Sequence, residues 1–153
     1  MDPVVRLGTA DDIPALEWLQ GHARNALIDV RGGNLRLAEC APVTDWPVLF
    51  ADPNAVVLVG ELAGVVLGFL IMLLRSEIDR AVVTYAFVEE GARELGLGDT
   101  MVEQAIEIAR RRGVSGIEAV ALPGDRETKN LYERAGLTAR KITVYKSLPP
   151  VGG

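Results

Sequence analysis

The chain has 153 residues, 16 Lys+Arg against 21 Asp+Glu and a formal net charge of -5, with 49% apolar and 24% charged residues. That balance describes one globular domain with room for a sizeable core, and a net negative chain argues against non-specific binding to nucleic acid or to an anionic membrane. One cysteine, Cys40, and one histidine, His22, exclude an internal disulfide and leave no conventional zinc site, so no metal is expected.

Met1–Arg6 has no basic stretch followed by an apolar one, so no signal peptide is expected and a cytoplasmic location is. Val4–Leu7 reads as a short strand. Thr9-Ala10-Asp11-Asp12 supplies capping and acidic residues ahead of a helix carrying Ile13, Leu16 and Leu19. Gly21 is expected to interrupt it, with a second helix over Arg24–Val30 ending at Gly32-Gly33. Pro42, Pro47 and Pro53 are expected to break any long element between residues 34 and 54.

Ala55–Leu74 is a twenty-residue run with a single charge, Glu61, long enough to cross a bilayer. The mid-run charge, the turn-like Leu62-Ala63-Gly64 and the β-branched flanks predict two adjacent buried strands instead, over 55–61 and 64–75. Glu77–Arg80 is a polar turn and Ala81–Val88 a further buried strand. Asp99–Arg112 spaces Met101, Val102, Ala105, Ile106, Ile108 and Ala109 for one broad apolar helix face, closed by Gly113. Ile117–Leu122 reads as a strand, Asp125–Ala135 as a helix stopped by Gly136, and Ile142–Leu148 as the last strand. The order β-α-α-β-β-β-α-β-α-β is that of a single mixed α/β domain over residues 1–148, with a short tail at 149–153.

The informative segment lies between the third buried strand and the long helix. A glycine-rich loop there ends in a helix N-terminus, which presents unpaired N–H groups to an anion, with Arg93 at the same mouth. A P-loop needs a Lys after the last glycine, and none follows Gly96 or Gly98. Gly96-Leu97-Gly98-Asp99-Thr100-Met101 lacks the third glycine of a dinucleotide fingerprint and starts eight residues beyond Val88, although Glu118 imitates its ribose-binding acid. Arg93-x-x-Gly96-x-Gly98 resembles the R/Q-x-x-G-x-G/A loop of the GCN5-related N-acetyltransferases, the GNAT superfamily. Asp125 to Leu137 is similar to that family's N-x-x-A-x-x-[LF]-Y-E-x-x-G-F helix, with Asp125 in place of Asn and Thr128 in place of Ala.

The resemblance implies a single GNAT-like domain and direct transfer of an acetyl group from acetyl-CoA to a primary amine of a small molecule or peptide. It implies that the backbone of Arg93, Glu94, Leu95, Gly96, Leu97, Gly98, Asp99 and Thr100 cradles the pyrophosphate. The pantetheine arm would pair with the backbone at Phe87 and Val88, where a Val88 amide would also polarise the thioester carbonyl. Asp125 and Lys129 are expected on the cofactor side of the last helix, Lys129 in preference to Asn130. Tyr132 is expected to protonate the leaving thiolate.

No general base is assigned. Glu89 and Glu90 read as solvated loop charges, His22 as a surface or capping residue, and Trp18 and Trp46 as packing residues. Arg110–Arg112 reads as a complement to the helix dipole. An acyl-CoA-binding sensor without turnover and a nucleotide-binding domain are the competing readings. Residues 1–90 carry 6 basic and 13 acidic side chains, net -7, and residues 91–153 carry 10 and 8, net +2, which favours a cationic amine as acceptor. A homodimer through the apolar strands around Val65–Leu74 is left open.

Overall fold

The computed structural model describes residues 2–152. Its strands are β1 (Val4–Leu7), β2 (Ala55–Leu62), β3 (Val65–Arg75), β4 (Arg80–Val88) and β5 (Gly116–Ala119). Its helices are α1 (Ile13–Leu27), α2 (Gly33–Glu39), α3 (Trp46–Ala51), α4 (Leu97–Arg111) and α5 (Arg126–Arg134). The sheet order is β1-β2-β3-β4-β5, antiparallel as far as β4, with β5 parallel to β4 after the α4 crossover.

Strand alternation builds two cores, one on each face of this sheet. Val56, Leu58, Leu70 and Met72 meet Met101, Val102, Ala105 and Tyr132 of α4 and α5. Val57, Val59, Phe69 and Ile71 meet Leu16, Leu19 and Ala23 of α1 and Trp46 of α3. The twenty-residue apolar run is therefore a hairpin, turned at Ala63 and Gly64 with φ of 52° and 81°, as a two-residue type I′ connection requires. Its one charge is used, because Glu61 accepts from Arg6, which also grips Asp12 with two 2.8 Å bonds. No helix among the described residues is long and apolar enough to cross a membrane. Because β3 is the central strand and both its faces are covered, the apolar residues of Val66–Leu74 are buried or half-buried within one chain, and only Val65 at the turn is exposed.

Three expectations about elements are corrected. Gly21 does not interrupt α1, since it stands on an exposed helix face where packing, not propensity, decides. Gly32 and Gly33 begin α2 rather than end the preceding helix. As expected, no long element spans residues 34–54; the short α3 opens at Pro47, whose missing N–H costs nothing in a first turn. Residues 142–148 form no strand: Ile142, Val144 and Leu148 are 81%, 90% and 77% exposed. An alternating pattern gives only the capacity to pair, and the short β5 is paired on one side only, with β4.

Candidate active site

The site begins with one extra residue in β4. Ile71 pairs with Tyr85 and Met72 with Val83, so Thr84 has no partner on β3. A bulge of this kind reverses the face taken by each later side chain. Ala81 and Val83 face the α4–α5 layer, as do Ala86 and Val88, whereas Tyr85 and Phe87 turn to the α1–α3 layer. Pairing of β4 with β5 stops at Val83 and Ala119. Beyond that point lies a cleft of about 720 Å³, the size of a cofactor site.

The Glu89 amide donates to the Leu67 carbonyl at 2.8 Å, so by alternation the backbone of Phe87 also belongs to the β3 ladder. Ala86 and Val88 are the residues whose N–H and C=O face the open edge. Phe87 thus brings a side chain to the cleft, and Ala86 takes the backbone position expected of it.

The chain leaves β4 through a 3-10 turn over Glu90–Leu95 and enters α4 at Gly96, whose φ of 76° and ψ of 10° lie in the left-handed region. A side chain there would cost about 1–2 kcal/mol. No side chain caps α4, so the amides of Leu97, Gly98 and Asp99 have no partner within the helix. Gly98 and Asp99 line the cleft. Thr100 offers no free donor, because its amide and its hydroxyl both reach the Gly96 carbonyl at 3.1 Å. The Leu97 side chain is buried in the core, and Glu94 and Leu95 lie exposed on the 3-10 turn, away from the cleft lining. Arg93 lines the mouth and is ion-paired there with Glu127 of α5.

On the opposite side, Asp125 caps α5 by accepting from the Thr128 amide at 3.2 Å and the Thr128 hydroxyl at 2.6 Å. The two departures from the family motif are thus partners of each other. Tyr132 is only 6% exposed and its ring lines the cleft. Its hydroxyl has no hydrogen bond to any described residue. Burial pushes the phenol well above its ordinary range, opposed by the charge of Arg36 and reinforced by Asp125.

Lys129 is a correction. It is turned away from the cleft towards Glu133, with Nζ 3.6 Å from the carboxylate, whereas Asn130 lies on the cleft wall. The cleft-facing arc of α5 centres on Leu131, which packs over Gly98, and Lys129 stands about 160° from it at 100° per residue.

The sequence profile of the acetyltransferase (GNAT) family matches residues 18–137, most of the chain. The protein belongs to the GNAT acetyltransferase family. Among solved structures it is similar to a putative acetyltransferase from Agrobacterium tumefaciens, with 18% identity, a TM-score of 0.71, and 95% of this chain and 99% of that one covered. It is also similar to a ribosomal-protein-alanine N-acetyltransferase from Brucella melitensis biovar Abortus, at 17% identity and a TM-score of 0.68 over 97% and 100% of the chains. AAC(6')-Iy, bound to the bisubstrate analogue CoA-S-monomethyl-acetylneamine, gives 13% identity and a TM-score of 0.68 over 97% and 100%. No curated protein sequence matches the chain.

In this GNAT chain the other wall of the cleft comes from α1 and α2, the region least readable in sequence. It includes Arg24, Arg36, Cys40 and Tyr85. Arg24 Nη1 donates to the Cys40 carbonyl at 2.5 Å and to the Tyr85 hydroxyl at 3.0 Å. Burial is the main cause that raises the Tyr85 phenol. No local motif in the sequence marks the two arginines. Trp46 is fully buried beneath the sheet and takes no part in the cleft, while Trp18 is exposed and stacks on His22 at 4.0 Å. His22 Nδ1 lies 3.9 Å from Glu89, so that acid is not the freely solvated charge expected of it. Arg110 and Arg111 pair with Glu107 at the far end of α4, about 20 Å from its N-terminus at 1.5 Å per residue. They are remote from the cleft.

Proposed function

We propose that this GNAT protein is an acetyl-CoA-dependent N-acetyltransferase that transfers acetyl directly to a primary amine of a small molecule or peptide. The observation that carries the reading is the convergence on one cleft of an uncapped helix N-terminus, an unpaired strand edge and a tyrosine, Tyr132, whose hydroxyl has no hydrogen bond to a described residue. The residues present fit the co-substrate. The amides of Leu97, Gly98 and Asp99 and the guanidinium of Arg93 would hold the pyrophosphate. Ala86 and Val88 would pair with the amide-bearing arm as a further strand would. Acetyl-CoA supplies the acetyl group as an activated thioester.

The Val88 amide would polarise the thioester carbonyl, and Tyr132 would deliver its proton to the departing sulfur. No acidic side chain takes the role of base: Asp99 pairs with Arg134, Asp125 with Thr128, and Glu127 with Arg93. The amine would enter already neutral or lose its proton to water. Similar structures named as an aminoglycoside acetyltransferase and a ribosomal-protein-alanine N-acetyltransferase support an amine as acceptor. The lone cysteine suits a reducing, cytoplasmic compartment.

The lack of a free carboxylate in the cleft also favours a second reading, an acyl-CoA-binding module without turnover. A screen of amines with acetyl-CoA, reading free thiol release, separates them. Release that depends on amine supports transfer. Calorimetric binding of acetyl-CoA with no release on any amine supports the module, and absence of binding refutes both.

A further inference from the structure

The wall of the cleft opposite α5 is cationic and lacks a counter-ion. A guanidinium has five N–H donors. Arg24 spends three of them, on the Cys40 carbonyl, the Tyr85 hydroxyl and, at 3.3 Å, the Leu37 carbonyl. Arg36 spends one, on the Thr84 carbonyl at 3.2 Å. Neither has a carboxylate partner among the described residues, whereas Arg6, Arg93 and Arg134 all do.

Both side chains are half-buried, where an uncompensated charge is costly to keep. Carbonyls and a phenol hold Arg24 in place without neutralising it. Arg36 meets β4 at the bulge residue, four positions before Val88 and so about 13 Å along the strand from its end. It is separate from the proposed anion-binding turn at α4 and lines the same cleft as Tyr132. None of the thirteen acidic residues that make the first half of the chain negative lines the cleft, and Asp12 and Glu61 pair with Arg6 and Glu77 with Arg75 away from it. The net charge of that half therefore points the wrong way about the cleft.

Resting on the reading of this cleft as an acetyl-transfer site, we infer that Arg24 and Arg36 form an anion subsite for the acceptor, which is a small amine carrying a carboxylate within a few bonds of its nitrogen. Planar guanidinium forks match a carboxylate in shape and charge. Arg36 and Tyr132 line one cleft, so the anion and the reacting nitrogen belong to a single small acceptor. The bulge at Thr84 is what makes the subsite, because it turns Tyr85 to the face where Arg24 lies.

The test compares free amino acids with their methyl esters, with simple diamines and with ethanolamine phosphate as acceptors. The expected result is a kcat/KM about tenfold or more higher for the acid than for its ester, with diamines poorest. Arg36→Gln is expected to bring the acid-to-ester ratio close to one with acetyl-CoA affinity unchanged, and Arg36→Lys to restore part of it. Equal rates for acid and ester, a preference for diamines, or a ratio that survives in Arg36→Gln would overturn the subsite. Higher kcat/KM for ethanolamine phosphate than for every amino acid would overturn its carboxylate assignment. Calorimetry of the same acids and esters on the CoA-saturated protein keeps the two readings apart. No turnover on any amine counts against acetyl transfer alone, and equal binding of acid and ester counts against the subsite alone.

Discussion

Arg93, on the turn before α4, and Glu127, in the first turn of α5, are ion-paired across the mouth of the cleft. The pair is largely exposed, so it contributes at most about 1 kcal/mol to folding. It also holds the guanidinium that would meet a pyrophosphate, and the incoming anion must compete with a carboxylate. Glu127→Gln is therefore expected to tighten acetyl-CoA binding two- to threefold, and Arg93→Ala to weaken it about tenfold, more at low salt than at high. Titration calorimetry at two ionic strengths checks both, and weaker binding by Glu127→Gln would contradict the competition.

Tyr132 separates proton delivery from packing. Its hydroxyl has no hydrogen bond to a described residue, so Tyr132→Phe is expected to fold with an unchanged melting temperature and to bind acetyl-CoA as the wild type does. Turnover is expected to fall about a hundredfold or more. Burial raises the phenol above its ordinary value of 10.0, so the proton is present below that pH and is lost only above it. The pH–rate profile should accordingly show no loss assignable to Tyr132 up to about pH 10; a falling limb near pH 8 that vanishes in the Phe variant would contradict this.

The Arg6–Asp12–Glu61 cluster ties β1, the start of α1 and β2 together. Arg6, hydrogen-bonded to the buried Asp12, holds its carboxyl below the ordinary 3.8. A lowered carboxylate contributes stability above the unfolded value, and that stability is lost as pH falls through the folded one. Asp12→Asn is expected to cost about 3 kcal/mol at pH 7, and its deficit should shrink below pH 4. Urea melts at pH 7 and pH 3 test this, and a deficit that does not change with pH would exclude the ionised pair as its source.

Two glycines respond in opposite directions to the same substitution. A Cβ on Gly33 would lie 1.7 Å from the Leu27 carbonyl oxygen, a collision of backbone with backbone at the α1–α2 corner. Gly33→Ala should lower the melting temperature sharply or prevent folding, and displace α2 with Arg36. A Cβ on Gly21 meets nothing within 4 Å, so Gly21→Ala in the middle of α1 should raise stability by up to about 1 kcal/mol. Thermal melts of the two single variants decide it.

Some of this was legible in the residues and some was not. The β2–β3 hairpin, β4 and α4 follow from local signals: alternation or helical spacing of apolar residues, bounded by turn residues. The loop from Arg93 to Gly98 was legible for the same reason, since its chemistry depends on neighbours in sequence. Gly21 was misread because a glycine's cost depends on its place in a helix. Lys129 was misassigned because the cleft-facing arc of α5 is set by where Leu131 meets Gly98, a contact from a distant part of the chain.

The sequence by itself determined most of the strands and helices, because these depend on residues a few positions apart, but not the helix at Trp46–Ala51 or the unpaired state of residues 142–148. Tertiary structure alone decided which side chains line the cleft. One bulged residue, Thr84, turns Tyr85 to the α1 face, where it meets an arginine 61 positions earlier. Net charge sums over the surface and is blind to such placement, whereas the field in a cleft is set by the few charges that line it and have no partner.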